Sequence, residues 1–266
     1  MKTLVYYFTG TGNSLAVAKG LCSRIGDCEL IPIASLIKDP GPIVPDADRV
    51  GIVCPLYFFG LPAIVAGFSS RLDLSSTDYV FSVVTMGGSG GQAALRQLDG
   101  ILKEAPGRRG LDAGFSVRMP GNYILMYDSL GQERIGRTIQ AADRRMEEIA
   151  DRVKQGFREK LAWSPIAALI HHLMNPRFIN GVHEADRKFT VDDRCTSCNT
   201  CVEVCPVGNI RLENGRPAWL HHCEQCMACI QLCPTNAIQA GKKTEARKRY
   251  RHPEIGIGML KGQGRR

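Results

Sequence analysis

Residues 3–14 have the sequence TLVYYFTGTGNS, an apolar run followed at once by threonine, glycine, asparagine and serine. The apolar part is rich in β-branched and aromatic residues, which favour a buried strand. A helical pattern begins near residue 14. A strand that ends in small polar residues before a helix predicts an α/β unit with a ligand site at the strand's carboxyl end.

The first 160 residues repeat this alternation of strand and helix. Strands are predicted at 3–8, 29–33, 49–57, 79–86 and 114–119, and helices at about 14–26, 61–72 and 91–105. Near-continuous apolar strands separated by helices predict a parallel sheet that is covered on both faces. A further helix carries an apolar stripe at three- and four-residue steps, which predicts core packing for Ile135, Ile139, Ala142, Met146, Ile149, Val153 and Phe157.

The loop after the first strand has the composition of a phosphate site. Its hydroxyls and unhindered N–H groups can surround an anion at a helix N-terminus, and its members are Thr9, Gly10, Thr11, Gly12, Asn13 and Ser14. No Walker lysine follows, and Leu15 replaces the third glycine of the dinucleotide fingerprint. A terminal monophosphate therefore fits better than a pyrophosphate. The alternative is an N-capping turn that binds nothing.

Two more strand ends carry unusual loops. The loop after the third strand offers aromatic rings on which a flat ligand can stack, and it contains Pro55, Tyr57, Phe58, Phe59 and Gly60. Core packing is the alternative for these rings. The loop after the fourth strand permits close backbone approach but has no aromatic residue, and it contains Thr85, Met86, Gly87, Gly88 and Gly90. Together the three loops predict a site for a phosphate that carries a planar ring.

Eight of the 11 cysteines lie in two copies of one pattern, CTSCNTCVEVCPVGNI at 195–210 and CEQCMACIQLCPTNAI at 223–238. Zinc sites usually need two C-x2-C pairs, without a third cysteine and a proline. Four plus four thiolates favour two [4Fe–4S] clusters. In bacterial two-cluster ferredoxins the fourth cysteine of each run binds the other cluster. The predicted ligand sets are therefore Cys195, Cys198, Cys201 and Cys233, and Cys223, Cys226, Cys229 and Cys205.

The remaining cysteines and a histidine pair have no comparable spacing. Cys22, Cys28 and Cys54 lack partners at ligand spacing, so they are predicted to be buried free thiols. His171 and His172 lie in an apolar connecting segment, where a structural role at the surface or between domains is favoured over metal binding.

The positive charge is concentrated at the C-terminal end. The formal net charge is +8, and residues 241–266 hold nine Lys/Arg and two Asp/Glu, so residues 1–240 carry only +1. This predicts a solvated or docked basic tail that attracts an acidic redox partner. A nucleic-acid patch is the alternative, but no RNA-binding motif accompanies it. No export signal or membrane-spanning stretch is evident, so a soluble cytoplasmic protein is expected.

Several stretches resemble the fused flavodoxin–ferredoxin family, also called EFR-type ferredoxins. They are both cysteine runs together with YYFTGTGNS (6–14), PLYFFGLPA (55–63), MPGNYI (119–124), NPRFI (175–179) and GKKTEARKRYRHPEI (241–255). The resemblance implies an α/β flavodoxin-like, doubly wound five-stranded parallel sheet in residues 1–160. A helical connector (161–185), a small α+β bacterial-type two-[4Fe–4S] ferredoxin domain (186–240) and the basic tail (241–266) follow.

The resemblance also implies FMN and two [4Fe–4S] clusters as cofactors. The FMN phosphate would be held by Thr9, Thr11, Gly12, Asn13 and Ser14, and the ring would lie between residues 57–60 and 85–91. Asn122 and Tyr123 follow the fifth strand and are expected near the ring or the ferredoxin module. The implied function is electron transfer between redox partner proteins, with no catalytic acid, base or nucleophile. The alternative is an FMN-dependent oxidoreductase that acts on a small substrate or NAD(P)H, with the clusters as its electron outlet.

Overall fold

The computed structural model describes residues 1–264 and contains a five-stranded parallel sheet in the order β2-β1-β3-β4-β5. Its strands are β1 (Thr3–Tyr7), β2 (Cys28–Pro32), β3 (Arg49–Pro55), β4 (Tyr79–Met86) and β5 (Ala113–Arg118). This is the strand order of flavodoxin-like folds, in which ligands bind beyond the carboxyl ends of the strands. The predicted doubly wound α/β domain is therefore confirmed.

Helices cover both faces of the sheet, because alternate strand residues point to opposite sides. Leu4, Tyr6 and Phe8 lie in one buried cluster, and Val5 and Tyr7 lie in the other. The helices of this layer are α1 (Asn13–Ile25), α2 (Ala63–Ser69), α3 (Gly91–Glu104) and α4 (Gln132–Lys154). The alternation explains why the predicted strands were apolar almost throughout.

The α4 stripe packs as predicted except near its end. Buried members are Ile135, Ala142, Met146, Ile149 and Val153, and Ile139 is half-buried. The prediction for Phe157 was wrong, because α4 ends at Lys154 and Gly156 turns the chain with φ +64°. Phe157 is exposed, and the guanidinium of Arg152 lies 4.8 Å from its ring centre.

Cys22 and Cys28 form a disulfide with a Cα–Cα distance of 5.2 Å, so the prediction that they are free thiols was wrong. Cys22 lies in the last turn of α1, and the turn at Gly26 and Asp27 brings Cys28 alongside it at the start of β2. The spacing does not match a metal motif, but it allows a helix–turn–strand closure. Cys54 is a buried free thiol, as predicted, and burial raises its pKa to about 12.

The connecting segment forms helix α5 (Pro165–Val182). Ser164 caps it by accepting a hydrogen bond from the N–H of Ala167 at 3.3 Å, and Pro165 occupies the first turn, where no N–H is needed. His171 Nδ1 lies 2.9 Å from the carbonyl oxygen of Phe59. This contact agrees with the structural role predicted for His171. No helix within residues 1–264 is long and apolar enough to cross a membrane.

The two cysteine repeats fold together into one small C-terminal unit, to which they contribute equivalent turns. Its elements are β6 (Thr190–Val191), α6 (Thr200–Glu203), β7 (Ile210–Glu213), β8 (Arg216–Trp219), α7 (Ala228–Gln231) and β9 (Ile238–Gln239). Residues at equivalent places in the two repeats share a positive φ, and these pairs are Ser197 and Gln225, Asn199 and Met227, and Gly208 and Asn236. The sequence repeat is thus also a repeat of backbone conformation.

Residues 247–263 form a docked segment, which we call the C-terminal strap. Its Ile255 and Leu260 are buried in the same cluster as α1 and α4, and Tyr250 is also buried. The N–H of Gly262 donates to the carbonyl of Glu203 in α6. The docked form of the tail is therefore the one observed, whereas Arg265 and Arg266 lie outside the described residues.

Candidate functional site

A cavity of about 290 Å³ opens at the carboxyl ends of β1, β3 and β4, and we call it the strand-end cavity. All three predicted loops meet there, as strand ends in this topology should. Every residue predicted for the cofactor lines the cavity except Gly12, Gly60 and Gly90. Those three glycines lie behind the lining residues. A Cβ would contact Ile255 at Gly12, Asn175 at Gly60 and the Phe59 ring at Gly90, so each glycine permits close packing of its loop.

The phosphate loop, residues 9–14, presents the N-terminus of α1 to the cavity. Gly12 precedes the helix with φ +103°, and no side chain caps the helix N-terminus. The N–H of Gly12 donates to Thr9 Oγ1 at 3.1 Å, and Ser14 Oγ lies 2.8 Å from Thr85 Oγ1. An uncapped helix N-terminus beside hydroxyls is suited to an anion. The side-chain N-cap of the alternative is therefore absent from this loop, and anion binding stays a prediction.

The aromatic loop is a two-residue turn in which Phe58 and Phe59 both have positive φ, 46° and 61°. Tyr57 and Gly60 exchange both backbone hydrogen bonds at 2.9 Å, which closes the turn. Such turns normally contain Asn-Gly, and a bulky residue there costs about 1–3 kcal/mol. Tertiary contacts hold it: the Phe58 ring stacks on Phe178 of α5 at 4.6 Å, and a Cβ at Gly90 would overlap the Phe59 ring.

The aromatic side chains that the glycine loop lacks come from elsewhere. Tyr123 and Tyr127, in the segment after β5, line the strand-end cavity together with Phe178 of α5. A Cβ at Gly87 would lie 3.1 Å from the Cα of Gly121, so the glycine loop and this segment touch through two glycines. Asn122 and Tyr123 therefore lie at the cavity, as expected. Tyr127 and Phe178 were missed because neither follows a strand directly.

Four cysteines line each of two small cavities in the C-terminal unit. The cavity next to the strand-end cavity, which we call the nearby cavity, is lined by Cys205, Cys223, Cys226 and Cys229. The other, which we call the distal cavity, is lined by Cys195, Cys198, Cys201 and Cys233. Backbone N–H groups point at three of the sulfurs: Asn209 at Cys205, Gln225 at Cys223 and Ala237 at Cys233, at 3.2–3.3 Å. Such N–H donors stabilise negative charge on thiolate ligands.

The donor set of each cavity fits a cluster. Within residues 1–264, no three His, Cys, Asp or Glu side chains are arranged to hold a single metal ion. A [4Fe–4S] cluster instead binds its four thiolates at separate iron atoms, so its ligands surround a volume. Each cavity supplies four thiols around such a volume.

The strand-end cavity and the nearby cavity share a wall. Cys226 and Met227 line both of them. The loops are in close contact there, since a Cβ at Gly10 would overlap the carbonyl oxygen of Cys226. The phosphate loop and a predicted cluster ligand are thus direct neighbours.

Glu224 is a buried acid beside this wall that the sequence reasoning did not single out. Its Oε2 accepts a hydrogen bond from the N–H of Ile64 at 3.1 Å, at the start of α2. Burial raises the pKa of its carboxyl to about 7, although the hydrogen bond opposes this shift. Glu224 lies inside the second cysteine run, where the ligand pattern dominates the sequence and no spacing marks the carboxyl.

Comparisons with known proteins match the two halves separately. A family model of the 4Fe-4S dicluster domain matches residues 189–248, which indicates two 4Fe-4S clusters in this segment. No curated protein matches the chain.

Solved structures similar to the chain align with about half of it. A putative flavoprotein from Bacteroides uniformis is 20% identical and covers 52% of this chain and 97% of its own, with a TM-score of 0.35. A flavoprotein in complex with FMN from Lactobacillus acidophilus is 15% identical (43% and 92%, TM-score 0.34). An FMN-dependent NADH-azoreductase from Bacillus anthracis is 14% identical (58% and 100%, TM-score 0.40). The fold assignment rests on the strand order: the chain joins a flavodoxin-like domain to a segment that matches the 4Fe-4S dicluster domain.

Proposed function

We propose that the protein is an electron carrier of the fused flavodoxin–ferredoxin type, with FMN in the strand-end cavity and two [4Fe–4S] clusters. The observation that carries the proposal is the shared wall, since Cys226 and Met227 line both the strand-end cavity and the nearby cavity. FMN, when bound, accepts electrons in pairs and releases them singly, whereas a cluster carries one. Cys226 and Met227 would separate a flavin in the strand-end cavity from a cluster in the nearby cavity, so electron transfer between the two groups would need no conformational change.

The residues of the strand-end cavity would divide the binding of FMN between them. The uncapped N-terminus of α1 and the hydroxyls of Thr9 and Thr11 would hold the phosphate. Phe58 and Tyr123 would contact the ring, and Gly87 would permit its close approach to the backbone. Each role follows from the chemistry of the residue.

Each cluster would be held by one of the two crossed cysteine sets. The nearby cluster would use Cys205 from the first run with Cys223, Cys226 and Cys229 from the second, as the lining of the nearby cavity suggests. The distal cluster would use Cys195, Cys198 and Cys201 with Cys233. Cys198 is the exposed member of these eight, so electrons would leave the protein at the distal cluster.

Redox partner proteins would therefore dock near Cys198. Lys242 and Lys243 are exposed and form no ion pair within residues 1–264. Their charge would attract an acidic partner. A reducing cytoplasm fits a protein in which eight cysteines would serve as cluster ligands, and the Cys22–Cys28 disulfide is the exception.

Anaerobic purification followed by flavin, iron and sulfide quantitation tests the proposal. We expect one FMN and two clusters per chain. A spectroscopic redox titration then gives the order in which the centres are reduced. Purified protein that neither retains nor rebinds FMN contradicts the flavin part, and protein with zinc in place of iron contradicts the cluster part.

Thr11→Asp tests the phosphate loop. Thr11 is fully buried beside the cavity, so a carboxylate there would repel the FMN phosphate, and we expect affinity for FMN to fall at least about 100-fold. Fluorescence titration measures this change. Riboflavin lacks the phosphate, so its affinity should change much less. An equal loss for both ligands would mean that the substitution damages the site in general.

A second candidate function, reduction of a small substrate or oxidation of NAD(P)H at the flavin, is favoured by a groove beside the strand-end cavity. The groove has a volume of about 870 Å³ and shares Phe58, Tyr123 and Phe178 with that cavity. Its Arg177 and Lys188 form no ion pair within the described chain, so an anionic ligand would be attracted. Rapid, saturable flavin bleaching on anaerobic mixing with NAD(P)H would favour this oxidoreductase function over the electron-carrier function.

A further inference from the structure

A closed ring of hydrogen bonds joins the phosphate loop to the C-terminal unit that carries the cysteine runs. Asn122 Nδ2 donates to Thr11 Oγ1, and the carbonyl of Asn122 accepts from Gln231 Nε2 at 2.6 Å. Gln231 Oε1 accepts from the N–H of Tyr250 at 2.7 Å, and Tyr250 Oη donates to Asn13 Oδ1 at 2.7 Å. Since Thr11 and Asn13 belong to one loop, the ring closes on itself.

Two of the three side-chain amides in the ring, those of Asn13 and Gln231, can be oriented in only one way. Asn13 Nδ2 donates to the carbonyl of Pro120 at 2.9 Å, and a carbonyl only accepts, so Asn13 Oδ1 must face the Tyr250 hydroxyl. Gln231 Nε2 donates to the carbonyl of Asn122, so Gln231 Oε1 must face the N–H of Tyr250. Asn13, Gln231 and Tyr250 are each buried. A buried network in which every member has its partners holds its residues in one arrangement.

Gln231 connects this ring of hydrogen bonds with both the nearby cavity and the distal cavity. It is the last residue of α7 and lies between Cys229, which lines the nearby cavity, and Cys233, which lines the distal cavity. Ligation of the two cysteines would fix the segment between them. The position of Gln231, and of the ring, then depends on the clusters.

The strap also contacts the phosphate loop through its backbone. The N–H of His252 donates to the carbonyl of Thr11 at 2.9 Å, and a Cβ at Gly12 would lie 3.0 Å from Ile255 Cβ. On the other side, Gly10 abuts the carbonyl of Cys226. The phosphate loop is therefore held between the strap and the C-terminal unit, in addition to its contacts within the α/β domain, such as that of Ser14 with Thr85.

We propose that the C-terminal strap is part of the flavin phosphate site, with Tyr250 and Gln231 as positioning residues, and that FMN affinity and cluster occupancy are coupled through the ring. The inference rests on the proposed function, because it requires FMN in the strand-end cavity. Clusters that fix Gln231 favour the phosphate-binding arrangement of Thr11 and Asn13. By reciprocity, bound FMN favours cluster retention.

Tyr250→Phe tests the positioning role, because it removes one hydroxyl and leaves Asn13 Oδ1 without its donor. We expect the Kd for FMN to rise about tenfold, while the iron content of the FMN-free protein stays equal to that of FMN-free wild type. Tyr79→Phe is a matched control. Tyr79 is buried and its hydroxyl donates to the carbonyl of Phe157 at 2.6 Å, but it lies at the opposite end of β4 from Thr85. A Kd for Tyr250→Phe within twofold of wild type would overturn the role.

Iron release to a chelator, with and without saturating FMN, tests the coupling. In the wild-type protein we expect FMN to slow iron release about tenfold, and in Tyr250→Phe less than threefold. Equal protection in both proteins would overturn the coupling. If the wild-type protein binds no FMN, the proposed function and this inference fail together. FMN binding that is indifferent to Tyr250 and to cluster content overturns this inference alone.

Discussion

Gly10→Ala will deplete the protein of FMN and weaken the nearby cluster at the same time. A methyl group at this position would overlap the carbonyl oxygen of Cys226, so the phosphate loop and the cysteine loop must move apart. Backbone displacements of this kind cost about 1–3 kcal/mol or more. We expect FMN affinity to fall about 100-fold and iron content to drop, as measured by fluorescence titration and iron assay.

Gly100→Ala is the matched control for this substitution. Gly100 lies within α3, and a Cβ there meets nothing within 4 Å. Alanine should stabilise the helix by about 0.5–1 kcal/mol and leave both cofactors in place. Retention of FMN and iron by Gly10→Ala at wild-type levels would contradict the close packing of the two loops.

Cys205→Ala will remove about half of the iron, and the loss will come from the cluster of the other cysteine run. Cys205 belongs to the first run, but it lines the nearby cavity with Cys223, Cys226 and Cys229. Electron paramagnetic resonance of the reduced protein should show the distal cluster unchanged. Cys233→Ala should give the reverse result, because Cys233 lines the distal cavity.

Cys54→Ala is the control for these cysteine variants. Cys54 is a free thiol buried in the apolar cluster beneath α2 and α3, and it lines neither of the cysteine-lined cavities. Its removal should leave iron content unchanged. Selective loss of the cluster of Cys195, Cys198 and Cys201 in Cys205→Ala would contradict the crossed ligand sets.

Local patterns were enough to predict the sheet and the three loops of the strand-end cavity. Strands such as Tyr79–Met86 are covered on both faces, so their apolar character shows in the sequence whatever else surrounds them. The loops were found because strand topology alone places Thr9, Tyr57 and Thr85 at one edge of the sheet. The repeat of the cysteine pattern, at an offset of 28 residues, could likewise be recognised from the sequence alone.

The rest of the site depends on contacts between distant parts of the chain. Phe178 belongs to a helix that covers the cavity from outside the sheet, and no spacing rule connects it with Phe58. The positive φ values of Phe58 and Phe59 contradict their local preferences and persist because surrounding residues hold them. The tail, residues 241–266, was predicted from its charge to be solvated or docked. Within the strap, the buried Tyr250, Ile255 and Leu260 recur at five-residue steps, which match neither a helix nor a strand and do not indicate which surface they cover.

The hydrogen bond between Tyr250 and Asn13 spans 237 residues of sequence. A ribosome adds about 5–20 residues per second, so the first loop of the protein waits roughly 10–50 s for the residue that completes it. During that interval the α/β domain can form, but its phosphate loop has neither the strap nor the second cysteine run against it. Expression of the first 160 residues alone would reproduce this nascent state, in which the sheet is complete and the loop lacks its later contacts.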